Sequence, residues 1–156
     1  MLNPAEIVIR LILAFLLGGL IGLERELHGR AAGLRTHILV CLGSSLIMLT
    51  SMHLFHLYRG IATVDPARIA AGVITGIGFL GAGTIIRSRV SVSGLTTAAS
   101  LWAVAGIGLA IGSGFYLGAY LTAAMVVFTL FVLTRLEKAL GRKDKKYKTG
   151  EVKDGF

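Results

Sequence analysis

Arg10 is the one permanently charged side chain inside an apolar stretch of this sequence. A charge at membrane depth is costly, and it often marks a functional site. Glu6 precedes Arg10 by one helical turn, however, and this order favours an ion pair on one helix face. Arg10 also lies close enough to the end of its stretch to extend its guanidinium to the membrane surface. We therefore expect an intramembrane charge paired with Glu6, with a direct functional role as the alternative.

The segment from Gly22 to His37 carries charges of alternating sign, with glycines at positions 29 and 33 that allow close turns. Arginines collect at the cytoplasmic ends of membrane helices, but carboxylates contribute little to orientation, so topology alone does not explain them. A polar network and a contact site for a partner protein are the two hypotheses for this segment. The residues concerned are Glu24, Arg25, Glu26, Arg30, Arg35 and Thr36.

Glycine spacing indicates close helix packing. A spacing of four places small residues on one helix face, where two backbones can approach each other. In the third apolar stretch, further glycines lower the helix propensity and predict a weakened or broken helix. The GxGxxG letters there are no dinucleotide fingerprint, because no strand-then-helix unit surrounds them. The packing or breaking positions are Gly18, Gly22, Gly72, Gly76, Gly78, Gly81 and Gly83, with further four-residue spacings at Gly108 and Gly112 and at Gly114 and Gly118.

Hydroxyl side chains open the fourth apolar stretch, at Thr96, Thr97 and Ser100. Such groups can cap a helix or bond to a neighbouring helix, and packing is the favoured role. Trp102 lies in the middle of the same stretch rather than at a membrane interface, so we expect it to fill a gap in the core.

Catalytic and metal sites find little support in the sequence. His37 and Cys41 are one turn apart, but no acidic residue is near them to orient the histidine. Ser45 and His53 lie about 12 Å apart along a helix and cannot form a dyad. His53 and His56 would hold a metal only with partners from elsewhere in the chain. We expect no enzyme, no metal site and no cofactor.

The apolar stretches contain no aspartate or glutamate. Magnesium and calcium prefer several oxygen ligands, usually including carboxylates. This weakens an ion-transport function, although a pore built from backbone carbonyls stays open as an alternative.

The elements that carry these residues are membrane helices. The chain has 156 residues, of which 54% are hydrophobic and 15% charged, and its mean hydropathy is +0.78. Apolar stretches near the length of about 20 residues that crosses a bilayer predict an all-α fold, a bundle of five glycine-rich transmembrane helices. Asn3-Pro4 and Asp65-Pro66 are helix start signals. Gly112-Ser113-Gly114 predicts a tight turn between two helices, with one long broken segment as the alternative. The predicted spans are 7–23, 36–57, 69–86, 95–111 and 115–134, and a basic cytoplasmic tail follows at 135–156.

Charge distribution predicts the orientation. The first loop, the third loop and the tail hold 13 basic residues, whereas the second loop holds only Arg59 and Arg68. The positive-inside rule therefore predicts an N-terminus outside the cell and a C-terminus in the cytoplasm. The tail has eight basic and four acidic residues. We expect it to bind anionic lipid rather than nucleic acid.

Three blocks of sequence resemble the membrane domain of the MgtC/SapB family. They are GLIGLERELHGRAAGLRTH at Gly19–His37, GVITGIGFLGAGTII at Gly72–Ile86 and SGLTTAASLWAVAGIGLAIGSGFY at Ser93–Tyr116. The third block of the family often opens with arginine where this chain has Ser93, which weakens a charge-based role for that loop. Longer members carry a folded cytosolic C-terminal domain, in place of which this chain has the basic tail.

The resemblance implies a multi-pass protein of the bacterial inner membrane that is associated with magnesium limitation and, in pathogens, with virulence. Some members are regarded as regulators of the membrane ATP synthase. We therefore expect a non-enzymatic regulator that contacts another membrane protein, with homo-oligomers also compatible with the glycine spacings. A magnesium or other ion transporter is the main alternative, and a membrane-embedded hydrolase is the third.

Overall fold

The computed structural model describes residues 3–61, 63–89 and 91–139. Their fold is a bundle of five helices, each long and apolar enough to cross a membrane. This confirms the predicted fold class. The helices are α1 (Pro4–Leu27), α2 (Leu34–Leu57), α3 (Pro66–Gly83), α4 (Leu95–Ser113) and α5 (Tyr116–Ala139), and a short antiparallel hairpin of β1 (Ile86–Arg87) and β2 (Val92–Ser93) joins α3 to α4.

Both predicted start signals begin helices. The Asn3 side chain accepts a hydrogen bond from the Ala5 N–H at 3.1 Å, and Asp65 accepts one from the Ala67 N–H at 2.9 Å. In each case proline occupies the first helical position, where its missing N–H removes no helix hydrogen bond. Both helices therefore begin three residues before the predicted apolar spans.

The predicted break in the third span is wrong at Gly78 and Gly81, because α3 runs without interruption to Gly83. Each glycine costs only about 1 kcal/mol of helix propensity. In a membrane, an interrupted helix would also leave backbone groups without partners, and that cost is larger. The last three residues of the predicted span, 84–86, lie outside α3, and the first strand of the hairpin begins at residue 86.

The core lies where α1, α2 and α4 meet. Apolar side chains from these three helices, with two alanines and one leucine of α5, form one buried cluster. α3 and α5 lie at the periphery and expose most of their surface. The buried members of the cluster are Ala14, Ile21, Cys41, Val104, Ile107, Ile111, Ala119, Ala123 and Leu130.

Trp102 does not fill the core as expected, because 54% of its surface is exposed. Its neighbours Leu101 and Val104 point into the core. Successive helical residues are rotated by about 100°, so Trp102 faces outward instead.

The turn between α4 and α5 follows the prediction. Gly114 has a φ of 86°, a left-handed conformation that favours glycine. The Phe115 N–H reaches back to the Ala110 carbonyl at 2.8 Å, which ends α4 and allows α5 to begin at Tyr116. The predicted basic tail lies outside the described residues from position 140 onward.

Candidate functional site

Arg10 lies buried at the point where α1 meets the turn between α4 and α5, with only 6% of its surface exposed. Its Nη1 donates to the Gly112 carbonyl at 2.6 Å, and its Nε donates to the Tyr116 hydroxyl at 3.0 Å. The remaining terminal nitrogen, Nη2, bonds to Glu6, which confirms the expected ion pair. The Arg10 guanidinium also lies 5.7 Å from the centre of the Tyr116 ring.

The contacts of Arg10 give it a structural role. Gly112 lies in the last turn of α4, where carbonyl groups lack intrahelical partners and the helix dipole is negative. The guanidinium satisfies one of these carbonyls and supplies the favourable charge. Arg10 therefore joins α1 to α4 and α5 at this end of the bundle.

The predicted network between α1 and α2 separates into one half with bonds inside the structure, Glu24, Arg25 and Glu26, and a second half made of the other three residues. Internally, the Arg25 guanidinium pairs with the Glu24 carboxylate, with Nη2 at 2.8 Å from Oε1, and Arg25 is 1% exposed. Glu26 accepts the Leu34 N–H at 2.8 Å and so caps the start of α2. A Cβ on Gly33 would meet the Glu26 carboxylate, so the side chain of Glu26 would have to shift if any other residue replaced this glycine. Both carboxylates that topology left unexplained thus have structural partners.

The other half consists of Arg30, Arg35 and Thr36, all of which are exposed. Within residues 3–61, 63–89 and 91–139, neither arginine forms an ion pair. Arg30 lines a polar cavity of about 310 Å³ together with the start of α4, including Thr96 and Thr97. The structure therefore brings the first loop and the predicted hydroxyl cluster to one end of the molecule.

A buried contact between His37 and Ser100 was not predicted from the sequence. The His37 Nε2 lies 3.0 Å from the Ser100 Oγ, and the His37 Nδ1 lies 2.9 Å from the Gly33 carbonyl. Ser100 and Thr97 are buried, whereas Thr96 is exposed. The contact joins α2 to α4, which agrees with the packing role expected for the hydroxyl groups. Because 63 residues separate the partners, no local spacing indicates the pair.

The predicted glycine pairs differ in whether they pack against another helix. A Cβ on Gly18 would lie 2.7 Å from the Cys41 Cβ, and one on Gly22 would lie 2.8 Å from the Leu34 Cα, so α1 packs on α2 through both. Gly108 and Gly112 make the corresponding close contacts between α4 and α2.

The glycines of α3 mostly face open space. A Cβ on the glycine at position 72, 76, 78 or 83 would meet no atom within 4 Å, and one on Gly81 would make only ordinary contact with Ala98. Gly72 and Gly76 line a cleft of about 440 Å³ between α2 and α3. The sequence spacing alone does not distinguish these open positions from the packed ones.

Every carboxylate among the described side chains is engaged. Glu6 and Glu24 pair with arginines, and Glu26 and Asp65 accept backbone N–H groups at helix starts. Within the described part of the chain, no group of three or more histidine, cysteine, aspartate or glutamate side chains is close enough to hold a metal ion. With these carboxylates engaged, the arginine side chains of the described residues suit anions and hydrogen-bond acceptors better than cations.

Comparison with known proteins identifies the relatives of this chain. The model of the MgtC family matches residues 11–139. The Escherichia coli K12 protein YhiD, whose name describes a candidate magnesium transporter, is 50% identical over 132 residues, which cover 83% of this chain and 60% of YhiD. Protein MgtC of Salmonella typhimurium is 44% identical over 128 residues, covering 82% of this chain and 52% of that protein. Protein SapB of Bacillus subtilis is 38% identical over 141 residues, covering 87% and 60%.

This chain spans between about half and three fifths of the length of these three relatives. None of their three names is that of an enzyme. No solved structure matches the chain.

Proposed function

Because this chain belongs to the MgtC family and is a multi-pass membrane protein, we propose that it acts as a non-enzymatic regulator in the bacterial inner membrane. It contacts another membrane protein and links magnesium limitation to membrane energetics, and the ATP synthase is a partner of the expected kind. The loops that contain Arg30 and Arg87 face the cytoplasm in this proposal, in accordance with the positive-inside rule.

The observation that carries the proposal is the charge of the bundle interior. Arg10 and Arg25 are the buried cations among the described residues, and each already has a carboxylate partner. A magnesium ion that crossed the bundle would pass two guanidinium groups and find no unengaged carboxylate to replace its water ligands. This arrangement supports a regulator more than an ion path.

Arg30 and Arg35 supply the proposed contact surface. Both residues are exposed, and planar guanidinium groups bind carboxylates and phosphates through two parallel hydrogen bonds. Thr36 lies beside Arg35 and adds a hydroxyl. A partner with acidic groups near the cytoplasmic membrane surface fits this surface.

Replacing both Arg30 and Arg35 with glutamine should reduce recovery of the partner from gentle detergent extracts by about tenfold, which corresponds to about 1.4 kcal/mol of binding free energy. The growth phenotype under magnesium limitation should weaken in parallel. Arg87→Gln is the matched control, because Arg87 is an exposed arginine of the other loop at this end. A lost phenotype with unchanged partner recovery would contradict the assignment of this surface.

A magnesium transporter is the second candidate function, and the name of the Escherichia coli relative favours it. Purified protein in lipid vesicles that enclose a magnesium-sensitive dye distinguishes the two functions. We expect magnesium to enter these vesicles no faster than protein-free vesicles. Faster entry that depends on the amount of protein would overturn the regulator proposal.

A further inference from the structure

The polar cavity of about 310 Å³ beside Arg30 lies between the first loop and the start of α4. Arg30 is the one charged side chain among the described residues that line it, so its wall is positive and contains no carboxylate. Ser93 of the hairpin and the first residues of α4 complete the polar lining. The volume reaches the range of about 300–1,000 Å³ that is typical of small-molecule sites.

The start of α4 at this cavity has no side-chain cap. Gly94 precedes the helix with a φ of 87°, and a Cβ there would collide with the Thr84 carbonyl oxygen, so no serine, threonine or aspartate cap fits. The first hydrogen bond of the helix runs from the Ala98 N–H to the Gly94 carbonyl at 2.9 Å. The N–H groups of residues 95–97, which line the cavity, therefore have no acceptor within the helix. Together with the helix dipole, they favour an anion at this end.

Thr97 borders the same cavity with a buried hydroxyl that lacks a partner. Only 4% of the residue is exposed, and its hydroxyl makes no hydrogen bond to any described residue. The neighbouring Ser100 hydroxyl, in contrast, bonds to the Thr97 carbonyl at 2.8 Å and lies 3.0 Å from His37. The Thr97 hydroxyl oxygen is not sealed off by protein, and the cavity is the open space that this residue borders. A buried hydroxyl without a partner is costly, so an acceptor in the cavity would stabilise it.

We propose that this cavity binds the phosphate group of a phosphate ester. Its donors are of three kinds: the Arg30 guanidinium, the Thr97 hydroxyl and the free N–H groups at the start of α4. A phosphate ester offers three strong acceptor oxygens, one for each kind of donor, whereas a carboxylate offers two. The Arg30 guanidinium also matches phosphate through two parallel hydrogen bonds. A phospholipid headgroup and a soluble phosphate ester share this chemistry. The inference does not rest on the proposed regulatory function.

Two binding measurements on the purified, delipidated chain in dodecyl maltoside test the site. In the first, titration calorimetry with inorganic phosphate at constant ionic strength measures binding of a soluble phosphate. In the second, native mass spectrometry compares retention of phosphatidylglycerol with retention of a diacylglycerol that has the same acyl chains and no phosphate. We expect phosphate-dependent binding in at least one of the two. Binding of inorganic phosphate assigns the site to a soluble ester, and selective retention of phosphatidylglycerol alone assigns it to a lipid headgroup.

Three variants connect the binding to the cavity. Arg30→Gln should weaken it about tenfold and Thr97→Val about three- to tenfold, because each removes a donor to a charged acceptor. Thr97→Val keeps the shape of the buried side chain, and Arg30 is exposed, so the second variant folds even if the first does not. Arg35→Gln is the matched control and should bind as the native chain does, because Arg35 is an exposed arginine nearby that does not line the cavity.

The absence of phosphate-dependent binding in both measurements would overturn the site. Native affinity in a folded Arg30→Gln or Thr97→Val variant would overturn it as well, because the assigned donors would then not touch the ligand. If Arg35→Gln weakened binding as much as Arg30→Gln, the attraction would come from the basic surface in general and not from the cavity. No partner protein is present in either measurement, so the result is independent of whether the proposed partner contact exists.

Discussion

Replacing Arg10 with alanine should lower the free energy of unfolding by about 2–3 kcal/mol. The guanidinium bonds in three directions, to Glu6, Gly112 and Tyr116, and so connects three helices. Breaking a buried ion pair costs about 3–5 kcal/mol. Glu6 is partly exposed, however, with 40% of its side-chain surface accessible, so water compensates for part of the loss on that side. Most of the effect comes from the α4 carbonyl and the Tyr116 hydroxyl, which would be left without their donor.

Arg10→Lys separates the charge of this side chain from its geometry. Lysine keeps the positive charge, but its compact ammonium cannot reproduce the planar fork that reaches three partners. We expect its stability to lie between that of the native protein and that of Arg10→Ala. Arg68→Ala is the control, because Arg68 is exposed. Thermal unfolding in detergent, followed by the monodisperse fraction that survives heating, measures all three variants. If Arg10→Ala were as stable as Arg68→Ala, the structural role of Arg10 would be wrong.

The sequence predicts those parts of the fold that depend on local chemistry. Hydropathy identifies five membrane helices because a chain in lipid must satisfy its backbone hydrogen bonds internally. Asn3 and Asp65 are recognisable as caps, and the pairing of Glu6 with Arg10 follows from their separation by four residues. Each of these interactions lies within one helical turn, so spacing alone is sufficient to predict it.

Contacts between distant parts of the chain were not predicted. Arg10 and Tyr116 are 106 residues apart, and the Gly112 carbonyl that Arg10 binds has no side-chain signature. His37 and Ser100 likewise meet only because α2 and α4 pack together. The sequence therefore identifies Arg10 as unusual but does not say which helices it joins.

The glycine pattern shows the same limit. The pairs at 18 and 22, 72 and 76, and 108 and 112 have identical spacing, yet only the first and third pack against α2. Which pairs are packed depends on which helix is central, and that is a property of the whole bundle. α2 holds this position because it contacts α1, α3 and α4. Gly72 and Gly76 of α3 therefore have the four-residue spacing that predicts helix packing, but they make no close contact with another helix.

The packed and open glycines of α4 give the second large prediction. A Cβ on Gly108 would lie 2.4 Å from the Cys41 carbonyl oxygen and 2.8 Å from the Ser44 Cβ, whereas one on Gly106 would meet nothing within 4 Å. In Gly108→Ala, α4 must move away from α2, and overpacking of this kind costs about 1–3 kcal/mol. We expect a value at the upper end, because the clash is with backbone as well as with a side chain.

Gly106→Ala is a closely matched control for this variant. The two glycines lie two residues apart in the same helix, and alanine raises helix propensity at both by up to about 1 kcal/mol. Gly106→Ala should therefore be neutral or stabilising, while Gly108→Ala should be destabilising, so the two substitutions are expected to have opposite signs. Thermal unfolding of both variants in the same detergent measures the difference. Equal stability of the two variants would mean that α2 and α4 are farther apart than the close contact at Gly108 requires. The contact between His37 and Ser100 joins the same two helices, so it would then be wrong as well.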